Sequence, residues 1–261
     1  MTDHTDISRN IVEDLNGRAP FDGYATVPSR TVVEAYAIQD AVTRTLLEDG
    51  HRSGLAGWKI AANSQMLMDK FKLTEPATGR VFEDQRHESP AILPAADFAQ
   101  FAFEPEIAAI MSDTLDPADA PFDRQTVLAA IERFVPAMEL LDMRGIDMPT
   151  AHIPDAIAQN ISNAGVVLGG PGVPADTLDE TTVRTVLTID GSVDHDVTGA
   201  APQSPVAAVT WIANHLAARG LSLEAGQIVL CGTHSPIWFH EGTGEIKVEM
   251  SALGDVSLTL E

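Results

Sequence analysis

Apolar residues at helical spacing predict two long helices, one near each end of the chain. Between residues 30 and 50 they recur every three or four positions, which is typical of one buried helix face, and Gly50 is a suitable stop. Residues 204–220 repeat the pattern, with Ser204 as a suitable N-cap and Gly220 as a suitable end. Shorter helices are predicted at 66–73 and 123–133, and 155–162 is predicted to be a helix or a turn.

Short apolar runs punctuated by proline and glycine predict strands over much of the remaining chain. The predicted strands are 91–93, 101–111, 183–189, 227–231, 246–250 and 256–260, and 134–141 is a further apolar run. Helices come first, followed by strands and helices without a regular βαβ rhythm. This order favours an α+β fold over a doubly wound parallel sheet.

Charge and composition narrow the classes of function. The 261 residues include 38 Asp and Glu but only 16 Lys and Arg, a formal charge of −22, which argues against a nucleic-acid binder or a protein that docks on anionic membranes. No apolar run approaches the roughly 20 residues that span a bilayer, and the first residues show no signal pattern, so we expect a cytoplasmic protein. Because Cys231 is the single cysteine, a metal site within one chain must use oxygen or imidazole ligands.

Two glutamates, Glu104 and Glu106, stand in the apolar run FEPEIA (residues 103–108). In a strand they point to the same face, and two carboxylates on one buried face repel each other and raise each other's pKa. Mg²⁺ or Mn²⁺ would remove that conflict, since these cations prefer carboxylate oxygens. Pro105 favours the alternative, a solvated face or sheet edge, because proline prefers edges.

A third glutamate, Glu139, lies in the apolar run 134–141, where a charge is rarely buried unless it is paired or coordinates a metal. The alternative is an ion pair with Arg133 or Arg144. Lys59 lies in the apolar segment GWKI and is a candidate for an acid/base or electrostatic role, with a pKa lowered by desolvation. A lysine that extends its amine to solvent, or a structural ion pair, is the alternative.

These segments resemble the fumarylacetoacetate hydrolase superfamily, and more narrowly its 2-keto-4-pentenoate hydratase and 4-oxalocrotonate decarboxylase branch, in order along nearly the whole chain. The resemblance rests on GWKI at 57–60, EPEIA at 104–108, VPAMEL at 135–140, QNIS at 159–162 and GT at 232–233. These runs are similar to the family's G-[YW]-K-[IT] segment, its E-x-E-[IF]-A metal strand, its third-carboxylate strand, its D-N-x-S segment and its final sheet.

The resemblance implies an α+β fold built on a mixed β-roll, with N-terminal helices packed against it. Residues 1–80 would form the helical portion and residues 81–261 the catalytic roll of one structural unit. Mg²⁺ or Mn²⁺ would be held by Glu104, Glu106 and Glu139. Lys59 would transfer a proton or stabilise an enolate. Ser162 and Thr233 match substrate-pocket positions. Arg80 is a candidate partner for a substrate carboxylate, and the alternative is that it only offsets acidic charge at the surface.

The activity implied is that of a hydratase, a carbon–oxygen lyase of aromatic catabolism. Such an enzyme adds water to a 2-hydroxy-2,4-dienoate, by way of the 2-oxo-3-enoate, and yields a 4-hydroxy-2-oxo acid. The alternatives are a decarboxylase of a 2-oxo dicarboxylate such as 4-oxalocrotonate, or a weakly active partner subunit of such an enzyme. The family also implies a homo-oligomer, and association with a partner decarboxylase or hydratase.

Two positions depart from the family pattern. Ala77 stands where many hydratases have an acidic residue near the substrate, and Gln159 replaces the aspartate of the D-N-x-S segment. The loss of two acids weakens a simple transfer of the hydratase mechanism, so the decarboxylase and the partner subunit are kept as alternatives.

Overall fold

The computed structural model describes residues 5–21, 31–148 and 150–261, which form six α-helices and fifteen strands. The helices are α1 (Thr5–Asn16), α2 (Val32–Glu48), α3 (Gln65–Phe71), α4 (Arg124–Ala129), α5 (Ile153–Ala158) and α6 (Pro205–Ala217). The strands are β1 (Leu55–Ala61), β2 (Ala77–Phe82), β3 (Arg86–Glu88), β4 (Ala91–Leu93), β5 (Phe101–Met111), β6 (Ile131–Asp142), β7 (Asn163–Leu168), β8 (Gly170–Pro171), β9 (Val173–Pro174), β10 (Arg184–Ile189), β11 (Ser192–Thr198), β12 (Ile228–Thr233), β13 (Trp238–Phe239), β14 (Gly244–Met250) and β15 (Gly254–Leu260). None of these helices is long and apolar enough to cross a membrane.

Both long predicted helices are confirmed as α2 and α6, but the prediction for 123–133 is wrong at its end. Asp123 caps α4 by accepting a hydrogen bond from the Thr126 N–H at 2.8 Å, and the helix stops at Ala129. Residue Ile131 already begins β6, which pairs with β5 along almost its whole length. Strand pairing over this length outweighs the weak helical preference of the last predicted residues.

Nine strands form a large sheet that curls into a roll. Its order is β2-β1-β12-β5-β6-β7-β3, with β13 paired to β5 and β9 to β6. Val81 on β2 and Val166 on β7 stand far apart in this order, yet they belong to one buried apolar cluster on the inner face. Asn160, just before β7, ties this part of the chain to β2, because its side chain accepts a hydrogen bond from the Arg80 N–H at 2.6 Å and donates one to the Arg80 carbonyl at 2.9 Å.

A second sheet packs against the outer face of the roll. Its order is β11-β10-β14-β15-β4, with β8 paired to β15. The main core joins Phe134 and Met138 of the roll to Leu187 of the second sheet and Ile212 of α6. Helices α1 and α2 pack on the end of β2 around Phe82. The predicted α+β roll with N-terminal helices is therefore confirmed.

The N-terminal portion contributes strands to the roll as well as helices. The predicted boundary at residue 80 falls inside β2, and both β1 and β2 belong to the large sheet. The two portions therefore share one sheet. The division of the chain at residue 80 stays a prediction.

Candidate metal centre and active site

The inner face of the roll changes from apolar to acidic near one end, where three glutamates meet. Glu104 and Glu106 lie two residues apart on β5, and Glu139 on β6 pairs directly with Glu104. One carboxylate oxygen of each lies within 4.8 Å of the other two. Glu106 and Glu139 are buried, whereas Glu104 is half-buried. The structure thus brings the three predicted ligands together, with Glu104 nearest to solvent.

Pro105 lies in a central strand, contrary to the edge position that its residue type favours. The backbone nitrogen and carbonyl of one strand residue point to the same neighbour, and the Pro105 carbonyl accepts a hydrogen bond from the His234 N–H at 2.9 Å. On that side β12 ends at Thr233 and β13 begins at Trp238. The missing N–H therefore falls at a gap between two strands, where no ladder bond is lost.

Each buried carboxylate has defined hydrogen-bond donors. The Gly232 N–H donates to Oε2 of Glu106 at 2.8 Å. Asn163 Nδ2 donates to Oε1 of Glu139 at 2.9 Å, and the Lys59 Nζ lies 3.0 Å from the same oxygen. Among the described residues, the other oxygen of Glu139, Oε2, is buried without a hydrogen-bond partner.

Burial and repulsion between carboxylates raise the pKa values of Glu104 and Glu106. Burial raises the pKa of Glu104 to about 8, and the charge of Glu139 adds to the effect while Lys59 opposes it. Burial likewise raises the pKa of Glu106 well above its usual range. The charges of Glu139 and Glu104 act in the same direction, and the Gly232 N–H and Lys59 oppose them. The cluster therefore retains protons near neutral pH when no cation balances its charge.

Lys59 has a raised pKa, opposite to the direction expected from its apolar sequence. Burial alone lowers the pKa of the amine, but the charges of Glu139, Glu104 and Glu106 together outweigh it. Gly79 pairs with Lys59 across β1 and β2, and a Cβ at Gly79 would lie 3.4 Å from Cε of Lys59. Lys59 is therefore a buried ammonium group, and the absence of a side chain at Gly79 leaves room for it.

The donor set fits a hard divalent cation. Three carboxylates supply oxygen ligands of the kind that Mg²⁺ and Mn²⁺ prefer. Oε2 of Glu139 is an acceptor that the described residues leave unsatisfied, and such buried acceptors are rare unless another group occupies the site. Glu104, Glu106 and Glu139 are thus the residues that would hold the cation.

Arg80 does not join this cluster. Arg80 pairs with Trp58, the neighbour of Lys59 on β1, so its side chain points to the face of the sheet opposite to that of Lys59. Its guanidinium lies 4.9 Å from the Trp58 ring centroid, donates to Gln39 Oε1 at 2.6 Å and forms an ion pair with Asp40. The substrate-binding role of Arg80 stays a prediction that its contacts do not support. These contacts instead place the Arg80 side chain at the junction of β2 with α2.

Asn163 reaches the site directly after an unusual turn that ends at Ser162. Asn160, Ile161 and Ser162 all have positive φ values, of 61°, 50° and 56°, which L-residues adopt at a cost of roughly 1–2 kcal/mol each. The bonds of Asn160 to the Arg80 backbone hold the turn. Ser162 lines a cavity of about 390 Å³ together with Asn163, and none of the three glutamates lines that cavity.

Thr233 lies beside the acids. It pairs with Glu106 across β12 and β5, and its hydroxyl donates to the Ser235 carbonyl at 2.8 Å. The structure thus places Thr233 next to the acids and Ser162 next to Asn163. Their predicted contact with substrate stays a prediction.

Sequence reasoning missed two groups that contact the acids, Asn163 and the Gly232 N–H. Asn163 directly follows the QNIS run, and its position at the start of β7 could have marked it as a candidate. The N–H of Gly232 has no sequence signal, since any residue has a backbone nitrogen. Only the local backbone path directs it to Glu106.

The stability of the metal-free protein is expected to fall as pH rises. A carboxyl group whose pKa goes from 4.5 to about 8 on folding contributes stability below its unfolded pKa, and that contribution is lost as pH rises through the folded value. The slope reaches about 1.4 kcal/mol per pH unit for each such group. Thermal unfolding in EDTA from about pH 5 to pH 8 measures it. The variant Glu104→Gln should show a shallower decline, and equal slopes would contradict the prediction.

Replacing Arg80 by methionine is expected to affect stability and not substrate affinity. The change leaves Gln39 and Asp40 without their guanidinium, and we expect a loss of about 1–3 kcal/mol because Asp40 is partly exposed and retains Arg219. Urea unfolding gives this number, and steady-state kinetics gives KM. A KM raised tenfold or more at unchanged stability would instead support contact with substrate.

Comparison with known proteins agrees with the fold. The model of the fumarylacetoacetate (FAA) hydrolase C-terminal family matches residues 81–261. The 2-oxo-hept-4-ene-1,7-dioate hydratase of Escherichia coli is 30% identical over 238 residues, which cover 88% of this chain and 87% of that protein. A 4-oxalocrotonate decarboxylase of a Pseudomonas species is 29% identical over 230 residues, covering 88% and 87%.

Among solved structures, 4-oxalocrotonate decarboxylase from Pseudomonas putida G7, complexed with magnesium and adipate, superposes with a TM-score of 0.90. The alignment covers 99% of this chain and 97% of that one, at 22% sequence identity. At this identity the match establishes the fold.

Proposed function

Because the chain belongs to the fumarylacetoacetate hydrolase family, we propose that it is a divalent-metal-dependent hydratase of 2-hydroxy-2,4-dienoates. The observation that carries the proposal is the convergence of Glu104, Glu106 and Glu139 beside Lys59. The three glutamates would hold Mg²⁺ or Mn²⁺, which supplies Lewis-acid stabilisation of the enolate of a 2-oxo acid. The relatives named for hydratase activity support the same reaction type.

Lys59 is the group that we assign to proton transfer. The dienoate loses the proton of its 2-hydroxyl and gains one at carbon 5, which gives the 2-oxo-3-enoate. Water then adds its oxygen to carbon 4 and a proton to carbon 3, which gives the 4-hydroxy-2-oxo acid. Lys59 is held protonated among three carboxylates, so it serves as a proton donor to carbon and regains a proton from the hydroxyl or from water.

The two departures from the family pattern make Lys59 more important in this chain. Ala77 is buried and packs with Ala35, Tyr36 and Ile157, so it offers no carboxylate. Gln159 accepts a hydrogen bond from Arg144 at 2.5 Å, a contact in which a neutral amide takes the place of an acid. Neither position supplies a carboxyl group as a second proton carrier.

A decarboxylase is the second candidate, because the hydratase and decarboxylase relatives are about equally similar, at 30% and 29% identity. Product analysis separates the two reactions. With 2-hydroxypenta-2,4-dienoate and Mg²⁺, the hydratase proposal predicts loss of dienoate absorbance and formation of 4-hydroxy-2-oxopentanoate. Release of carbon dioxide from 4-oxalocrotonate without dienoate hydration would favour the decarboxylase, and full turnover in EDTA would refute both.

The remaining expectations concern assembly and location. A homo-oligomer, a partner decarboxylase or hydratase, a role in aromatic catabolism and a cytoplasmic location stay predictions. Light scattering of the purified protein measures its oligomeric state. If the chain binds Mn²⁺ but turns over neither substrate alone, recovery of activity on adding a partner enzyme would support the partner-subunit alternative.

A further inference from the structure

Strand β12 carries one extra residue beside the carboxylates. Leu230 pairs with Ala108 and Thr233 pairs with Glu106, so three steps along β12 oppose two steps along β5. A bulge of this kind turns the backbone of the longer strand. Here it points the Gly232 N–H at Oε2 of Glu106, 2.8 Å away.

The bulge depends on glycine and needs external support to keep its register. Gly232 has a φ of +110°, and a Cβ there would lie 2.5 Å from Nδ2 of Asn63, so other residues would clash or be strained. The ladder between β12 and β5 has its register shift between Leu230 and Thr233. Backbone pairing alone is therefore weakest where Glu106 needs a fixed donor.

The residue after Thr233 supplies that support. The His234 N–H donates to the Pro105 carbonyl at 2.9 Å, which joins the bulge to the residue between the two glutamates. Its ring Nδ1 shares a hydrogen bond of 2.9 Å with Oγ1 of Thr185. Thr185 is fully buried on β10, in the second sheet, and His234 is 3% exposed. Burial lowers the pKa of His234 to about 4, so the imidazole is neutral at neutral pH.

We propose that Thr185 and His234 are positioning residues for Glu106. Their hydrogen bond ties the second sheet to the bulge and holds the Gly232 N–H on the carboxylate, and this sets the affinity of the site for a divalent cation. The inference rests on the proposed function for the identity of the ligand. Residues that orient metal ligands from outside the coordination sphere typically change affinity about 10–100-fold when removed.

Isothermal titration of the metal-free, full-length protein with Mn²⁺ tests the proposal. Thr185→Val keeps the shape but removes the hydroxyl, and we expect about 10–100-fold weaker Mn²⁺ binding. Thr185→Ser keeps the hydroxyl and is expected to bind within about threefold of the parent, well below that range. Thr188→Val, on the same strand, is the matched control and should leave the affinity unchanged. At saturating Mn²⁺, kcat of Thr185→Val should stay close to the parent value.

If Thr185→Val does not fold, a second pair of variants, at His234, tests whether the Thr185–His234 hydrogen bond sets the affinity for Mn²⁺. His234→Asn places its amide near the position of Nδ1 and is expected to keep the affinity, whereas His234→Gln places its amide near Nε2 and is expected to weaken it. Variants that unfold at lower temperature but bind Mn²⁺ like the parent would show a purely structural role and overturn the proposal. A parent that binds Mn²⁺ without hydrating a dienoate refutes only the proposed function, and a parent that binds no Mn²⁺ refutes both.

Discussion

Replacing Glu106 by glutamine is expected to abolish Mg²⁺ and Mn²⁺ binding and to lower dienoate turnover by about a thousandfold or more, which corresponds to roughly 4 kcal/mol of lost transition-state stabilisation. Glu106 is almost fully buried, and its carboxylate is fixed by the Gly232 N–H. The amide keeps the shape but removes one of three negative ligands. Titration calorimetry measures the binding, and loss of dienoate absorbance measures turnover.

The same substitution is expected to leave a second signature that a damaged fold would not produce. Burial and the charges of Glu139 and Glu104 raise the pKa of Glu106, so replacing this acid by a neutral amide removes an energetic cost in the metal-free protein. Glu106→Gln should therefore unfold at a higher temperature than the parent at about pH 8 in EDTA, and it should gain no stability from Mg²⁺.

Glu132→Gln is the matched control for this experiment, because Glu132 lies exposed on β6 in an ion pair with Arg133. We expect it to bind cations and turn over substrate like the parent. Normal turnover by Glu106→Gln in EDTA would contradict the metal mechanism. A loss of activity with unchanged Mn²⁺ affinity would show that Glu106 is not a ligand.

The sequence predicted those parts of the site that depend on residue type and local spacing. The run from Phe101 to Met111 was predicted as a strand and forms β5 with the same bounds. Alternation along that strand placed Glu104 and Glu106 on one face, and an acid inside an apolar run singled out Glu139. These inferences need only the strand period and the energetic penalty for burying a charge.

The remaining features depend on contacts between residues distant in sequence. Pro105 occupies a central strand because the gap between β12 and β13 faces its nitrogen, and nothing near position 105 encodes that gap. The pKa of Lys59 rises because three acids from two other strands surround it. Arg80 occupies a position on β2 whose side chain points away from the three glutamates and pairs with Asp40 of α2. Each outcome follows from sheet topology, which a single sequence does not specify.

Replacing Lys59 by methionine is expected to separate catalysis from cation binding. We expect kcat to fall by about 10²–10⁴-fold, the usual contribution of a positioned proton donor. Mn²⁺ should bind as tightly as to the parent or more tightly, because the change removes a positive charge that lies 3.0 Å from a carboxylate ligand. Methionine is unbranched and similar in length, so it fits the space beside Gly79.

The stability of this variant supplies an independent check. Without the ammonium, Glu139 retains Asn163 as a donor but loses its counter-charge, and breaking a buried ion pair typically destabilises a protein by about 3–5 kcal/mol. The metal-free variant should therefore unfold at a lower temperature than the parent, and saturating Mg²⁺ should restore much of the difference because a bound cation replaces the lost positive charge.

Lys247→Met is the matched control, since Lys247 is half-buried on β14, away from the three glutamates, and pairs with Glu249. It should change neither kcat nor Mn²⁺ affinity. If Lys59→Met keeps the parent rate, another group carries the proton and the role assigned to Lys59 is wrong. If it loses Mn²⁺ binding to the same extent as Glu106→Gln, Lys59 serves to hold Glu139 in place, and the ion pair is a structural element of the metal centre.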